Sequence, residues 1–275
     1  MQLGLYIDLE HAPILPHRQF DFIEANLQSL LIPDQDETAF NEQCELVRSL
    51  EKPVSSANRF LPPDLAIVGP EADGARLLGW ANTAFCRAEV LGIRLIVWGS
   101  GATRTVPEGF PMEEAREQFL RAVSQLAPLA ERHGITLAIK PVSRLNSNFI
   151  TSLADGAAIV HGVGHPRVRL LANVFHMMVE EEPASEIERF AEILVHVQLA
   201  ELKNRAAPGT HGDDFRPHFT ALKNSGYDKA IVVEPKWTDA TKEPALALQT
   251  LKAQMVDVGL QWQPGGFSAP PPQLA

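Results

Sequence analysis

A chain of 275 residues, 45% hydrophobic and 21% charged, is long enough to bury one large core, and a single α/β barrel fits that length. Its 24 Lys and Arg against 34 Asp and Glu give a net charge of -10 with no clustered basic run, which argues against nucleic acid as a partner. Two cysteines, Cys44 and Cys86, are too few for a disulfide framework or a zinc site and read as separate buried, reduced thiols.

Taken in chain order, eight β-type runs alternate with helical ones: Leu3 to Ile7, Phe20 to Ala25, Val54 to Asn58, Arg94 to Trp98, Ile135 to Ile139, Val168 to Leu171, Val195 to Leu199 and Ala230 to Val233. Helical spacing of apolar residues appears at Phe40, Cys44 and Val47, then from Leu77 to Ala88, Phe119 to Leu126, Ile187 to Leu194 and Leu248 to Met255. Gly92 and Gly134 close helical patterns just before strands, where a left-handed residue turns the chain back. Near-continuous apolar strands separated by helices predict parallel strands covered on their outside, and hence a single (β/α)8 TIM barrel over residues 1–258. An open doubly wound sheet would ask for a glycine-rich turn after the first strand, and Asp8-Leu9-Glu10-His11 supplies none. Residues 259–275, with Pro264-Gly265-Gly266 and Pro270-Pro271-Pro272, predict a flexible tail. Residues 1–8 lack the pattern of a secretory signal and no stretch has membrane-spanning length, so the expected location is the cytoplasm.

In such a barrel the chemistry sits where strands end. Lys140, Asn173, Gln198 and Glu234 each follow or close a short apolar run, so neighbouring strands would bring them to one pocket. One carboxylate, two neutral amides and an ammonium make a poor site for a divalent oxygen-seeking cation. Earlier runs end at Glu24, Asn58 and Trp98, each with a bland alternative as a cap, a turn former or a core aromatic.

The ordered strand-end motifs carry a resemblance. Ile139-Lys140-Pro141-Val142 with Asn146, Leu171-Ala172-Asn173-Val174-Phe175-His176, His196-Val197-Gln198-Leu199-Ala200-Glu201 with Arg205, and Val233-Glu234-Pro235 resemble the xylose isomerase-like TIM barrels, a group of sugar phosphate isomerases/epimerases and ketose 3-epimerases. The likeness runs over roughly residues 2 to 258. It implies a divalent ion, manganese, magnesium, cobalt or similar, held by Glu, Asp, His and Glu from the last four strands, with the two glutamates moving a proton beside a sugar carbonyl. Lys140, Asn173 and Gln198 stand where the first three of those ligands are expected; only Glu234 matches. Asn146 likewise replaces a substrate-binding glutamate, while Glu24, His176 and Arg205 keep the family's residue types.

These residues predict a small keto-sugar or polyol-like ligand and no metal or other cofactor. Glu234 is expected as the acid-base group, touching Lys140 or bridged to it by water, with the ammonium replacing part of the ion's charge. Glu24, Asn58, Trp98, Asn146, Asn173, His176, Gln198 and Arg205 are expected to hold the substrate. The alternative is an inactive sugar-binding or partner protein that kept the barrel. The resemblance is also compatible with a homo-oligomer paired through outer helices. His11, His17, His133, His161, His165 and His218 read as ordinary polar residues, and the loop bearing His211 and Asp214 is expected to cover the pocket.

Overall fold

In the computed structural model, which describes residues 1–9 and 19–262, eight parallel strands close on themselves in chain order. They are β1 (Gln2–Ile7), β2 (Phe22–Asn26), β3 (Val54–Asn58), β4 (Leu95–Trp98), β5 (Thr136–Ile139), β6 (Val168–Asn173), β7 (Leu194–Leu199) and β8 (Ala230–Val233). The seam joins β1 to β8 in parallel register, Gln2 against Ala230 and Leu5 against Val233. The predicted TIM barrel is the observed architecture, with strand ends shifted by two residues or fewer.

Helices α1 (Leu27–Leu30), α2 (Glu37–Arg48), α3 (Gly74–Val90), α4 (Met112–Arg132), α5 (Leu153–Val163), α6 (Val174–Val179), α7 (Ser185–Arg189), α8 (Arg216–Asn224) and α9 (Glu243–Asp257) surround the strands. Their starts follow local chemistry. Asp36 and Asp73 accept from Ala39 and Arg76 N–H, and Ser152 with Asp155 forms a capping box on α5. Gly92 and Gly134 adopt φ of 74° and 66°, so both expected left-handed turns occur. The α5 helix escaped the periodicity reading because Leu-Ala-Asp-Gly-Ala-Ala-Ile-Val is apolar nearly all round. Its Gly156 sits so close to Leu170 and Pro141 that a methyl group would lie 2.7 Å and 2.9 Å from their side chains.

Two further expectations are corrected here. Cys44 is buried, but Cys86 is exposed because it lies on the outward side of α3. The packed chain also runs past residue 258: Leu260 is buried, and Trp262 donates its ring N–H to Asp21 at 2.8 Å. Residues 263–275, with His11 and His17, fall outside the described residues.

Most of the core lies between strands and helices, whereas Val97, Ala138 and Leu171 form a separate cluster inside the barrel. That inner plug leaves the polar side chains to be stacked toward the end where the strands terminate.

Candidate functional site

Alternation along a strand decides which residues face inward. On β5 Ala138 belongs to the inner plug, so Lys140, two residues later, is aimed up the barrel axis, and Leu171 does the same for Asn173 on β6. On β4 Val97 takes the inner place, which turns Trp98 outward toward the helices. Two register shifts reset the frame. Val195 is the extra residue where β7 pairs with β6, and Ser55 the extra residue where β3 pairs with β2. Beyond these shifts His196 and Gln198, and Ser56 and Asn58, all point inside, as their bonds to Glu24 and Glu234 require.

The inward polar groups form two storeys. In the lower one the fully buried Glu24 carboxylate accepts from Ser56 Oγ at 2.8 Å, His196 Nε2 at 2.8 Å and Gln198 Nε2 at 2.5 Å. In the upper one Glu234 Oε1 accepts from Asn58 Nδ2 at 2.6 Å and Lys140 Nζ at 2.8 Å. Its Oε2 accepts from Asn173 Nδ2 at 2.9 Å, Lys140 Nζ at 3.0 Å and Arg205 Nη2. A carboxylate offers about four lone-pair sites, so this one is filled by protein donors alone.

Amide orientations follow without choice. Asn173 Oδ1 caps α6 by accepting His176 N–H at 3.1 Å, leaving Nδ2 to donate to Glu234 and to Gln198 Oε1. Gln198 must then present Nε2 to Glu24, which links the two storeys. His176 Nδ1 accepts Ser143 N–H at 3.1 Å, so the neutral ring carries its proton on Nε2.

Electrostatics separate these groups. Burial by itself would raise the Glu234 carboxyl, but Arg205 and Lys140 outweigh it and hold the group well below the ordinary carboxylate range. Burial lowers the Lys140 ammonium to about 8, although Glu234 pulls the other way. Burial, with Lys140 and Arg205 nearby, keeps His176 neutral far below its usual titration.

Above the upper storey opens a cavity of about 490 Å³. Of the residues expected to hold substrate, Asn58, Asn146, His176 and Arg205 line it, as do Lys140 and Glu234. Four others do not. Trp98 is packed edge-on to Phe60 with centroids 5.3 Å apart, because strand alternation turns it away. Glu24 and Gln198 sit one storey too deep, and Asn173 is spent on its cap and on Glu234. The loop bearing His211 and Asp214 stays off the cavity because the buried Glu201 carboxylate accepts Gly209, His211 and Gly212 N–H at 2.5–3.0 Å.

Sequence reasoning missed Tyr6, Gln28, Arg59, Ser100 and Lys236 among the lining residues. Arg59 follows Asn58 directly and Lys236 lies two residues past Glu234, so reading on beyond each strand end would have found both. Among the described residues no group of three or more His, Cys, Asp or Glu is placed to hold an ion, and no helix is long and apolar enough to cross a membrane.

Comparison with known proteins gives this geometry its setting. Among curated relatives, the D-psicose 3-epimerase of Agrobacterium fabrum is 29% identical over 128 residues, 46% of this chain and 44% of that protein. The L-ribulose 3-epimerase of Mesorhizobium japonicum is 33% identical over 116 residues, 41% of this chain and 39% of that protein. The 3-dehydro-D-guloside 4-epimerase of Escherichia coli is 27% identical over 153 residues, 54% of this chain and 58% of that protein. The matched stretches thus span about half the length of these relatives or less. Among solved structures, a D-allulose 3-epimerase from Methylomonas sp. superposes with a TM-score of 0.77 at 21% identity, covering 92% of this chain and 98% of that one. Residues 19–254 match the family described as xylose isomerase-like TIM barrel, and with that match covering most of its length the chain belongs to this family.

Proposed function

We propose that the cavity binds a small keto-sugar-like molecule, with the Lys140–Glu234 pair in place of a divalent ion and Lys140 as the group that exchanges a proton. The observation carrying this reading is the saturation of Glu234. A metal centre needs free lone pairs turned toward the ion, whereas both oxygens here are engaged and an ammonium lies 2.8 Å from one of them. The donor set therefore does not fit a hard dication. The same saturation, with its lowered basicity, makes Glu234 a weak base and moves the acid-base role expected of it to Lys140.

In this reading a carbonyl oxygen of the ligand lies near the Arg205 guanidinium, which stabilises negative charge developing there. His176 Nε2–H orients a hydroxyl. Unprotonated Lys140 takes a proton from the hydroxyl-bearing carbon beside the carbonyl; the freed C–H pair forms a C=C bond while the carbonyl π pair moves onto its oxygen. That oxygen takes the neighbouring hydroxyl proton, and Lys140 returns its proton to the former carbonyl carbon, which completes an isomerisation. The named substrates of the relatives, D-psicose and L-ribulose among them, suggest ketoses as first candidates.

Incubating chelator-treated protein with a ketose panel in deuterated water tests this. Deuterium should enter the sugar at the carbon beside the carbonyl, and Lys140→Met should abolish the exchange. Loss of exchange on chelation, restored by manganese, would overturn it. A second reading, binding without chemistry, is favoured by the lack of a free carboxylate base in the lining. It predicts that the same sugars raise the melting temperature with no deuterium uptake.

A further inference from the structure

The protein carries a net charge of -10, yet among the described residues its cavity is lined by Arg59, Lys140, Arg205 and Lys236 against one carboxylate, that of Glu234. Lys140 and Arg205 are engaged with that carboxylate. Among the described residues no carboxylate forms an ion pair with Arg59 or Lys236, and both side chains are exposed where they line the cavity. Two other acids among the described residues stay out of the lining. Glu24 is closed off one storey below, and Asp8 lies close enough to Tyr6 to help burial raise its hydroxyl but is not part of the lining.

The backbone at these cations is held in unusual conformations where they line the cavity. Arg59 has φ of 59°, and Asn204 and Arg205 have φ of 61° and 53°, left-handed conformations that cost a residue with a side chain of order 1 kcal/mol. Each bend is pinned. Gln28 Nε2 donates to Arg59 O at 2.8 Å and Leu61 O at 2.9 Å, and Leu61 N–H donates to Ser100 Oγ at 3.0 Å. On the other side Lys236 N–H donates to Arg205 O at 2.8 Å, which ties the loop after β7 to the loop after β8. Strained backbone that carries arginines to opposite sides of one opening is the expected mark of a ligand requirement.

We infer that the ligand carries a negative group, a carboxylate or a phosphate, received at the rim between Arg59 and Lys236 while its polyhydroxylated part reaches down toward Lys140. This rests on the reading of the cavity as a keto-sugar pocket, and it names the charge of the molecule that pocket selects. Planar guanidinium donors suit a carboxylate or phosphate edge, and local positive potential in an acidic protein draws anions to this opening over the rest of the surface.

The experiment is calorimetric titration of the full chain with D-fructose, its acid analogue D-fructuronate, D-fructose 6-phosphate and inorganic phosphate. It is repeated with Arg59→Gln, Lys236→Gln and, as a charge-matched control on the outer surface, Arg121→Gln. One of the two anionic sugars should bind at least about ten-fold more tightly than fructose, and whichever does identifies carboxylate or phosphate as the group. That advantage should shrink at about 0.5 M salt, where screening acts over a few ångströms, and should fall in both rim variants but not in Arg121→Gln. Fructose binding as well as either anion would overturn the inference and leave the keto-sugar reading standing. Phosphate binding that depends on Arg59 and Lys236, with no sugar bound, would support the anion site and overturn the keto-sugar reading. No binding by any of the four would overturn both.

Discussion

Two buried carboxylates stand one above the other inside this barrel, and they are stabilised in different ways. Glu24 is surrounded by donors from Ser56, His196 and Gln198 and is sealed from the cavity. Glu234 is gripped by Lys140 and Arg205 together with two asparagines, and it faces the cavity. The lower site organises structure through directional hydrogen bonds; the upper site concentrates charge where a ligand can reach it. Depth in the barrel thus divides residues that look equivalent as strand-end polar groups in sequence.

The sharpest way to break this contrast is Glu234→Gln. Any orientation of the new amide turns its NH2 toward Lys140, Asn58, Asn173 or Arg205, and leaving the buried cation unpaired should cost about 3–5 kcal/mol in chemical denaturation. The double change Lys140→Met with Glu234→Leu should recover at least half of that loss, because the buried ammonium leaves with the carboxylate and the partly exposed Arg205 can turn to solvent. A double variant as unstable as Glu234→Gln would show that the pair is not the source of the cost.

Glu24→Gln should cost less, about 1–3 kcal/mol, because only one of the two oxygens is replaced, and either Gln198 Nε2 or the pair Ser56 Oγ and His196 Nε2 loses its acceptor. Gln198 cannot relieve the clash by rotating its amide without losing the bond from Asn173. Ligand-induced thermal shifts should survive this change and vanish in Glu234→Gln; equal losses in both would erase the distinction between storeys.

Acid titration gives the smallest and most graded effect. Burial lowers His176 strongly and His218 to about 4, so below their ordinary range near 6.5 the unfolded chain binds protons that the folded chain refuses. Stability from these two is therefore present above that range and declines as pH falls. Glu182 opposes them: burial raises it to about 7, so between 4.5 and 7 the folded chain holds a proton the unfolded chain releases. Two against one leaves a net loss of roughly 1.4 kcal/mol per pH unit between 6.5 and 4.5. Below 4.5 the depressed Glu234 carboxyl steepens the decline, and Glu234→Gln should remove that extra slope. A pH-independent denaturation midpoint from 6.5 to 4.5 would contradict the burial of both imidazoles.

The barrel was legible because eight apolar runs with capping glycines admit few closures, and the contact of Lys140 with Glu234 followed once the ends of β5 and β8 faced each other across one closed barrel. Depth was not legible. Whether Gln198 or Lys140 reaches the cavity depends on strand stagger and on the two register shifts at Ser55 and Val195, which leave no mark in composition. Trp98 looked like a ligand contact only because position along a strand says nothing of face until a neighbour's face is known; the inward Val97 settles it. The rim cations were overlooked for another reason. Arg59, Lys140, Arg205 and Lys236 are scattered through 178 positions of an acidic chain, and only barrel closure gathers them.

The mutual commitment of the upper storey has a consequence for how this site can change over generations. Converting it to a metal centre one codon at a time meets a barrier at each first step. Asn173→Asp would set a second carboxylate where an amide now donates at 2.9 Å, and Lys140→Glu would do so where the ammonium now lies at 2.8 Å. Each such intermediate carries adjacent like charges before enough ligands exist to recruit an ion. The network behaves as a ratchet: drift at the rim can retune what is bound, while the floor of the cavity is confined to its present chemistry unless several positions move at once.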